Sequence, residues 1–432
     1  MAQLLMASDL TVDSLHSSVG RVFDNKLVRS LGAMGASEMC NRVTRVLTAI
    51  ALAHTLSPKE FGLAAITLTT WELTRVLTST GLDARIMQCA DDQLEPVCRS
   101  SYSLNWWLHG VVCLLQIAAA FPIALAYGDS RIAYLLLGLA IPYLAFPWAA
   151  VQVCRLQREQ RTGLTAAMLA MLISGDNLLS AGLAISGCGL WSIVLPKVAM
   201  SIVWALIYRR LSPWRPVGAL DSKSVATTFR FGAVILATEI VNVLRLQGDK
   251  LIVGQFLGLE QLGTYYFAFN AGLGITTGVA GAFSAALLPH FCRSSRQQWS
   301  GAEFWRPALT VSLMTAPLVA LQAGLAPIYV PLVFGQRWTQ AIPLLMVLCV
   351  SGASLGLWRA LTQFIRSRGK PGLELLVTAL YAATGLAAVT GAASHGAMAV
   401  AVALLVVSLT VVPALALLTL RYLKSAAKAA SP

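Results

Sequence analysis

Charge is what this sequence has least of: only 12% of its 432 residues are Asp, Glu, Lys or Arg, where a soluble globular chain carries roughly 25%. Together with 57% hydrophobic residues, that scarcity excludes an ordinary water-soluble domain. Strands of alternating polarity are missing as well, which leaves helices as the spanning structure. Histidines are few, at 16, 54, 109, 290 and 395; none clusters with a Ser or Cys partner, and His109 is expected to be a hydrogen-bonded interior residue. Catalytic constellations are therefore absent, and the chain is not expected to be an enzyme. Cysteines at 40, 89, 98, 113, 154, 188, 292 and 349 have no metal-ligand spacing, so small buried side chains are expected in place of metal ligands or disulfides. GLGITTG at 272–278 lacks the lysine of a phosphate-binding loop and is read as a site of close helix packing. The N-terminal MAQLLMASDL has neither a basic start nor a sustained apolar core, so no cleaved signal peptide is expected.

Long apolar blocks recur from end to end. Spans are expected near 28–54, 61–82, 102–126, 131–153, 163–186 and 189–208, and again near 230–256, 262–288, 308–330, 340–364, 372–391 and 395–420. The fold class is thus all-α: a polytopic membrane protein of about twelve transmembrane helices. SPKE at 57–60 supplies an N-cap serine, a proline at the first helical position and a capping-box glutamate. RLSPWRP at 209–215 and RSRGKPG at 366–372 combine helix breakers with basic residues, as loops do.

The net charge of +13 does not point to nucleic acid, because Lys and Arg concentrate in alternate connections. Arg155, Arg158 and Arg161, then Arg209, Arg210, Arg215 and Lys223, then Arg293, Arg296 and Arg306, then Arg366, Arg368 and Lys370 fall on one side. The other side holds little beyond Lys59, Arg131 and Arg337, in short loops. By the positive-inside bias both termini are cytoplasmic.

The chain also repeats. At an offset of 200, Gly32 matches Gly232, Val43 matches Val243, Arg45 matches Arg245 and Glu60 matches Glu260. One residue later in register, Phe61-Gly62 meets Leu262-Gly263. The expected organisation is a segment 1–27, a six-helix lobe 28–208, a linker 209–229, a second six-helix lobe 230–422 and a tail 423–432. Such parallel, pseudo-symmetric repeats place a binding site at their interface.

ATEIVNVLRLQGDKLIVGQFLG at 237–258 is long and apolar enough to span, yet carries four charges, each costing about 2.5–3.5 kcal/mol at a helix centre on insertion scales. On a wheel, Glu239, Asn242, Arg245, Asp249 and Lys250 fall within about 140°, and Glu38, Asn41, Arg42, Arg45 and Thr48 within about 120°. Glu72 and Arg75 lie one turn apart on the next span, and Asp176, Lys197 and Arg359 add buried charge. Pairs such as Glu38–Arg42, Glu72–Arg75 and Arg245–Asp249 can neutralise each other, but the bases outnumber the acids. A surplus of guanidinium in a wet cavity calls for an anionic guest, and Arg suits phosphate through its bidentate fork. The expected substrate contacts are Arg42, Arg45, Arg245 and Lys250, with Arg75 and Arg359 behind them and Asn41 and Asn242 beside them. Glu38, Glu72, Glu239 and Asp249 are candidates for ion coupling or gating. Trp106, Trp107 and Trp204 are candidates for sugar contact, although tryptophans near span ends are more often interfacial anchors.

Four stretches carry a family resemblance: HTLSPKEFGLAAITL at 54–68, GLDARIMQ at 81–88, DKLIVGQFLGLEQLGTYYFA at 249–268 and VPLVFGQRWTQAIPLLMVL at 330–348. From about residue 25 to 420 the chain resembles the polysaccharide (Wzx-like) flippases of the multidrug/oligosaccharidyl-lipid/polysaccharide exporter superfamily. The resemblance implies a translocator of undecaprenyl-diphosphate-linked oligosaccharide in a bacterial inner membrane. It would work by alternating access, in contact with membrane lipids and beside the polymerase and glycosyltransferases of the same pathway. No cofactor is implied; H⁺, Na⁺ or the membrane potential would drive or reset it. Two alternatives share the superfamily: a multidrug/cation antiporter, which would favour an acidic or apolar cavity, and a lipid II flippase, which usually has fourteen spans. A membrane polymerase or ligase would need an external catalytic loop, for which these loops are too short.

Overall fold

The computed structural model describes residues 26–79, 85–87, 89–159, 162–216, 222–293 and 301–429. The segment 1–25 and most of GLDARIMQ lie outside the described residues. Every regular element among the described residues is helical. Helices α1 (Lys26–Thr55), α2 (Pro58–Arg75) and α3 (Leu94–Tyr127) open the chain. A broken rod follows, made of α4 (Arg131–Gly138), α5 (Pro142–Ala145) and α6 (Ala150–Arg158). Then come α7 (Thr162–Ile185) and α8 (Trp191–Leu211). The second half comprises α9 (Ser222–Arg293), α10 (Gly301–Tyr329), α11 (Ile342–Ser351), α12 (Leu355–Ser367), α13 (Pro371–Ala393) and α14 (Ala397–Ala429).

Eight helical stretches among the described residues are long and apolar enough to cross a membrane: 91–127, 131–148, 163–185, 191–211, 301–334, 336–367, 371–393 and 397–425. Helices α1, α2 and α9 fall outside that set. They hold the charge stripes, and the second arm of α9 is rich in Tyr, Thr and Gly.

Local chemistry sets the breaks. At the start of α2, Ser57 and Glu60 form the expected capping box: the Ser57 amide donates to Glu60 Oε2 at 2.8 Å and the Glu60 amide to Ser57 Oγ at 3.3 Å. The expected continuous span 131–153 is instead interrupted, because Pro142 and Pro147 remove two amide donors and impose 3₁₀ geometry at Phe146–Trp148. The span expected to reach residue 82 leaves α-helical geometry at Arg75, with one 3₁₀ turn to Thr78. The two spans expected at 230–256 and 262–288 are arms of α9, folded over at Gly258, whose φ of 80° is open to glycine at no steric cost. The span near 340–364 has 3₁₀ turns at Gln336–Ala341 and Gly352–Ser354. The expected tail at 423–432 continues α14 to Ala429.

Helix α1 lies along α7, and α9 packs on α11, α12 and α13. The halves meet mainly where α2 crosses α9. Their contacts concentrate at one end, hereafter the closed end. There Trp338 Nε1 donates to Ala53 O (3.0 Å), Arg337 Nη1 to Leu56 O (3.2 Å) and Tyr127 Oη to Leu251 O (3.1 Å). Between them Phe267 stacks on Trp338 at 4.1 Å and Phe61 meets both rings edge-on, at 6.2 and 4.8 Å. The largest apolar core draws on both halves at that end. The cores around Phe291, Phe304 and Phe364, and around Ile86, Val97 and Trp214, each belong to one half.

The crossing is reciprocal. A Cβ on Gly62 would overlap the carbonyl of Leu259, 2.7 Å from its carbon, and one on Gly263 would overlap the carbonyl of Pro58, again 2.7 Å from its carbon. Gly62 and Gly263 are 201 residues apart, as are Pro58 and Leu259. The two contacts are therefore related by the same register shift that relates the repeats.

After α8 the chain runs extended across the first half. Trp214 is buried there: its ring meets Tyr102 at 5.9 Å, its Nε1 donates to Glu95 at 3.0 and 3.1 Å, and its carbonyl accepts from Gln152 at 3.3 Å.

Candidate functional site: a cationic cleft between the halves

Beyond the Gly62–Gly263 crossing, Arg42, Arg45 and Glu72 of α1 and α2 come close to the second arm of α9. Guanidinium Arg42 reaches from α1 across to the second arm of α9, where a Cβ on Gly278 would sit 2.7 Å from its Nη2. Arg45 is exposed, has no ion pair among the described residues, and acts electrostatically on Tyr266 of α9. In the same half, Arg75 pairs with Glu72 (3.0 Å) and Lys197 with Asp176 (3.0 Å). The ring of Trp71 lies between these pairs, 5.5 Å from the Arg75 guanidinium and 5.9 Å from the Lys197 ammonium.

In the second half, Arg245 lies against two aromatic rings, 5.3 Å from that of Trp358 and 5.4 Å from that of Tyr381. Its Nη2 donates to Asn242 Oδ1 at 3.2 Å. Arg359 is exposed, close enough to Arg245 for their charges to oppose each other. Neither forms an ion pair among the described residues, although the charge of Asp249 reaches Arg245 through space. Arg245 also lines a cavity of about 110 Å³ inside the second half, with Asp249, Ser354, Tyr381 and Ser408 on its wall. Arg366, further along α12, is held by Glu374 at 2.7 Å, within electrostatic reach of Glu239.

Several expected residues stand elsewhere. Lys250 does not reach the cleft: it is 1% exposed, its Nζ donates to Leu246 O (2.7 Å) and approaches Asp249 Oδ1 (3.4 Å), and it lies 4.1 Å from the Phe269 ring. Asp249 is engaged on both oxygens, since Tyr265 Oη donates to Oδ2 at 2.5 Å. A charge inside an apolar lobe is tolerated only when matched in this way. Asn41 faces α7: its Oδ1 accepts from Ser174 (2.9 Å), at the start of a polar ladder continued by Asn177 Nδ2 to Thr44 Oγ1 (3.1 Å) and Thr48 Oγ1 to Asn177 O (2.7 Å). The side chain of Glu38 lies outside the described residues. Trp106 meets Tyr102 edge to face, and Trp204 meets Phe146 in the same way, while Trp107 is exposed. The tryptophans beside the cations are Trp71 and Trp358. Each sits next in sequence to a residue already on a charged face, Glu72 or Arg359, and that adjacency was the available signal.

Comparison with known proteins agrees with this architecture. The "Polysaccharide biosynthesis protein" family model matches residues 51–343. The succinoglycan biosynthesis transport protein ExoT of Rhizobium meliloti (strain 1021) is 25% identical over 82% of this chain and 71% of its own length. The teichuronic acid biosynthesis protein TuaB of Bacillus subtilis (strain 168) is 26% identical over 73% of this chain and 66% of its own. Among solved structures, the inward closed conformation of the lipid II flippase MurJ superposes with a TM-score of 0.75 at 11% identity, over 90% of this chain and 87% of that one. With an all-helical, polytopic fold and a family model spanning most of its length, the chain belongs to the polysaccharide biosynthesis protein family of membrane transporters.

Proposed function

We infer that this protein flips undecaprenyl-diphosphate-linked oligosaccharide repeat units from the cytoplasmic to the periplasmic leaflet of a bacterial inner membrane. The product would be O-antigen, capsule or exopolysaccharide, and the mechanism alternating access. The observation that carries the reading is a selective one. Arg75, Lys197, Lys250 and Arg366 are each matched by an acid, whereas Arg45, Arg245 and Arg359 have no ion pair among the described residues. Three guanidiniums without ion pairs, Arg45 on the stripe of the first half and Arg245 and Arg359 together in the second, suit a diphosphate, which accepts bidentate bonds and supplies the missing negative charge. A cavity for cationic drugs would need the opposite surplus.

In this reading α1, α2 and both arms of α9 cross the membrane with the eight apolar stretches, giving twelve spans in two six-helix lobes, 28–208 and 230–422. Both termini are cytoplasmic, and the closed end faces the periplasm. The diphosphate binds Arg42, Arg45 and Arg245, with Arg75, Arg359 and Asn242 around them; the polyprenyl chain stays in lipid. Glu72 and Glu239 are the acids best placed to feel that binding. Binding favours opening at the closed end only to the extent that the anion has higher affinity for the outward state.

The test replaces Arg45 and Arg245 with Gln in cells that depend on this protein for surface polysaccharide. Loss of polymer at normal protein level is expected; normal polymer overturns the reading. Proteoliposomes that pass cationic dyes but not a labelled lipid-diphosphate sugar would mark an antiporter.

A further inference from the structure

The interior cations are held in two chemically different ways. Arg75, Lys197, Lys250 and Arg366 each meet a carboxylate. Such a partner bonds to the in-plane N–H edge of a guanidinium, the same edge that grips a phosphate. Arg245 instead meets two π faces, Trp358 at 5.3 Å and Tyr381 at 5.4 Å. Aromatic rings attract a guanidinium electrostatically and contribute no lone pair to its edge. Its N–H groups are therefore spent sparingly: one goes to Asn242, and Nε is buried with no hydrogen-bond partner.

We propose that Trp358 and Tyr381 are positioning residues which take the place of a counter-anion at Arg245, keeping its hydrogen-bonding edge vacant for phosphate. The second half thereby supplies the preorganised part of the diphosphate grip, which Arg42 and Arg45 of the first half complete. The inference rests on the reading of the cleft as a diphosphate site and adds which half is preorganised for it.

The clamp is built to hold one geometry. Trp358 and Tyr381 come from α12 and α13, their centroids are 4.6 Å apart, and Trp358 is 4% exposed. Trp358 also places Arg359, the next residue on α12, beside the clamp, so a second acid-free guanidinium can join the grip. The corresponding ring in the first half works differently. Trp71 lies over Arg75 and Lys197, whose charged groups are already bonded to Glu72 and Asp176. Arg45 lacks an acid, yet no ring lies against its guanidinium among the described residues; it stands exposed and reaches Tyr266 only through space. That half therefore has no clamp of this kind, and its Arg42 and Arg45 close on a diphosphate that Arg245 already holds.

The experiment uses the full-length protein in detergent, with farnesyl diphosphate as probe and farnesol as the uncharged control, and measures binding by titration. Trp358→Leu and Tyr381→Leu should each weaken farnesyl diphosphate binding by about tenfold without changing farnesol binding. Trp358→Phe and Tyr381→Phe, which keep a π face, should stay within about threefold of the parent. Arg245→Gln should lose more affinity than Arg75→Gln. If a leucine variant fails to fold, the Phe variants and the Arg245/Arg75 comparison still decide. Leucine variants that bind normally while Arg245→Gln does not would overturn the clamp and leave the cleft reading intact. Equal losses for Arg75→Gln and Arg245→Gln would overturn the assignment to the second half. A parent protein that binds both probes alike would mean the diphosphate reading itself is wrong.

Discussion

Replacing Gly62 with alanine puts a methyl carbon 2.7 Å from the Leu259 carbonyl carbon and closer still to its oxygen, and Gly263→Ala repeats the clash on the Pro58 carbonyl. Neither obstacle is the tip of a flexible side chain, so α2 and the second arm of α9 must part. Ordinary carbon contacts lie at about 3.5–4.0 Å, so the separation is about 1 Å. Overpacking of this kind costs about 1–3 kcal/mol. Opening the closed end relieves the clash, whereas keeping it shut does not. A bias of about 2 kcal/mol moves the balance towards the open state roughly 30-fold. The assay is labelling of Ala53→Cys, fully buried beneath Trp338, by a membrane-impermeant maleimide in an otherwise cysteine-free chain. Each glycine variant should raise the labelling rate at least about tenfold, while Ala360→Cys, in the core of the second half, stays unreactive and so reports that the fold is intact. Because one parting breaks both crossings, the double variant should label no faster than either single one. Unchanged labelling in the single variants, or effects that multiply in the double, would refute the idea of one shared seal.

Asp249→Asn strands Lys250, which is 1% exposed; the cost is about 3–5 kcal/mol, seen as a lower thermal midpoint in detergent, and the Asp249→Asn/Lys250→Met double variant should recover most of it. At the surface, hydrogen bonding from Arg131 holds the Asp129 carboxyl below the usual carboxylate range. Its contribution is thus complete above about pH 4 and is lost as pH falls through the depressed value. Asp129→Asn should lower stability at neutral pH by less than about 1 kcal/mol, and unfolding curves of parent and variant should converge in strong acid.

Much of the fold was legible because bilayer spans, caps and breakers leave local marks. Ser57, Pro58 and Glu60 wrote the start of α2 outright, and the register of Gly62 against Gly263 appeared before the crossing did. Hydropathy predicted one span where Pro142 and Pro147 break the rod, since a window average is blind to a missing amide. The charge stripes lie on α1, α2 and α9, but a wheel does not give their neighbours. Asp249 and Lys250 sit within one arc on a wheel, yet the lysine folds back along α9 and the pair closes on itself with Tyr265. Asn41 shares its arc with Arg45 and still bonds to α7, because an arc of that width touches both the cleft and the helix beside it. Trp71 and Trp358 were hidden for a different reason: an aromatic beside a cation has no sequence signature apart from proximity, and the partner ring at Tyr381 lies on another helix.

The mooring of Trp214 has a practical consequence. Its hydrogen bonds and stacking bind the chain leaving α8 to Glu95, Tyr102 and Gln152, so the covalent tether between the halves begins only after that tryptophan. A polypeptide cut between residues 216 and 222 would leave the mooring whole on its first fragment. The two pieces, made separately in one cell, should find each other through the α2–α9 crossing and restore polymer export, much as complementing fragments do.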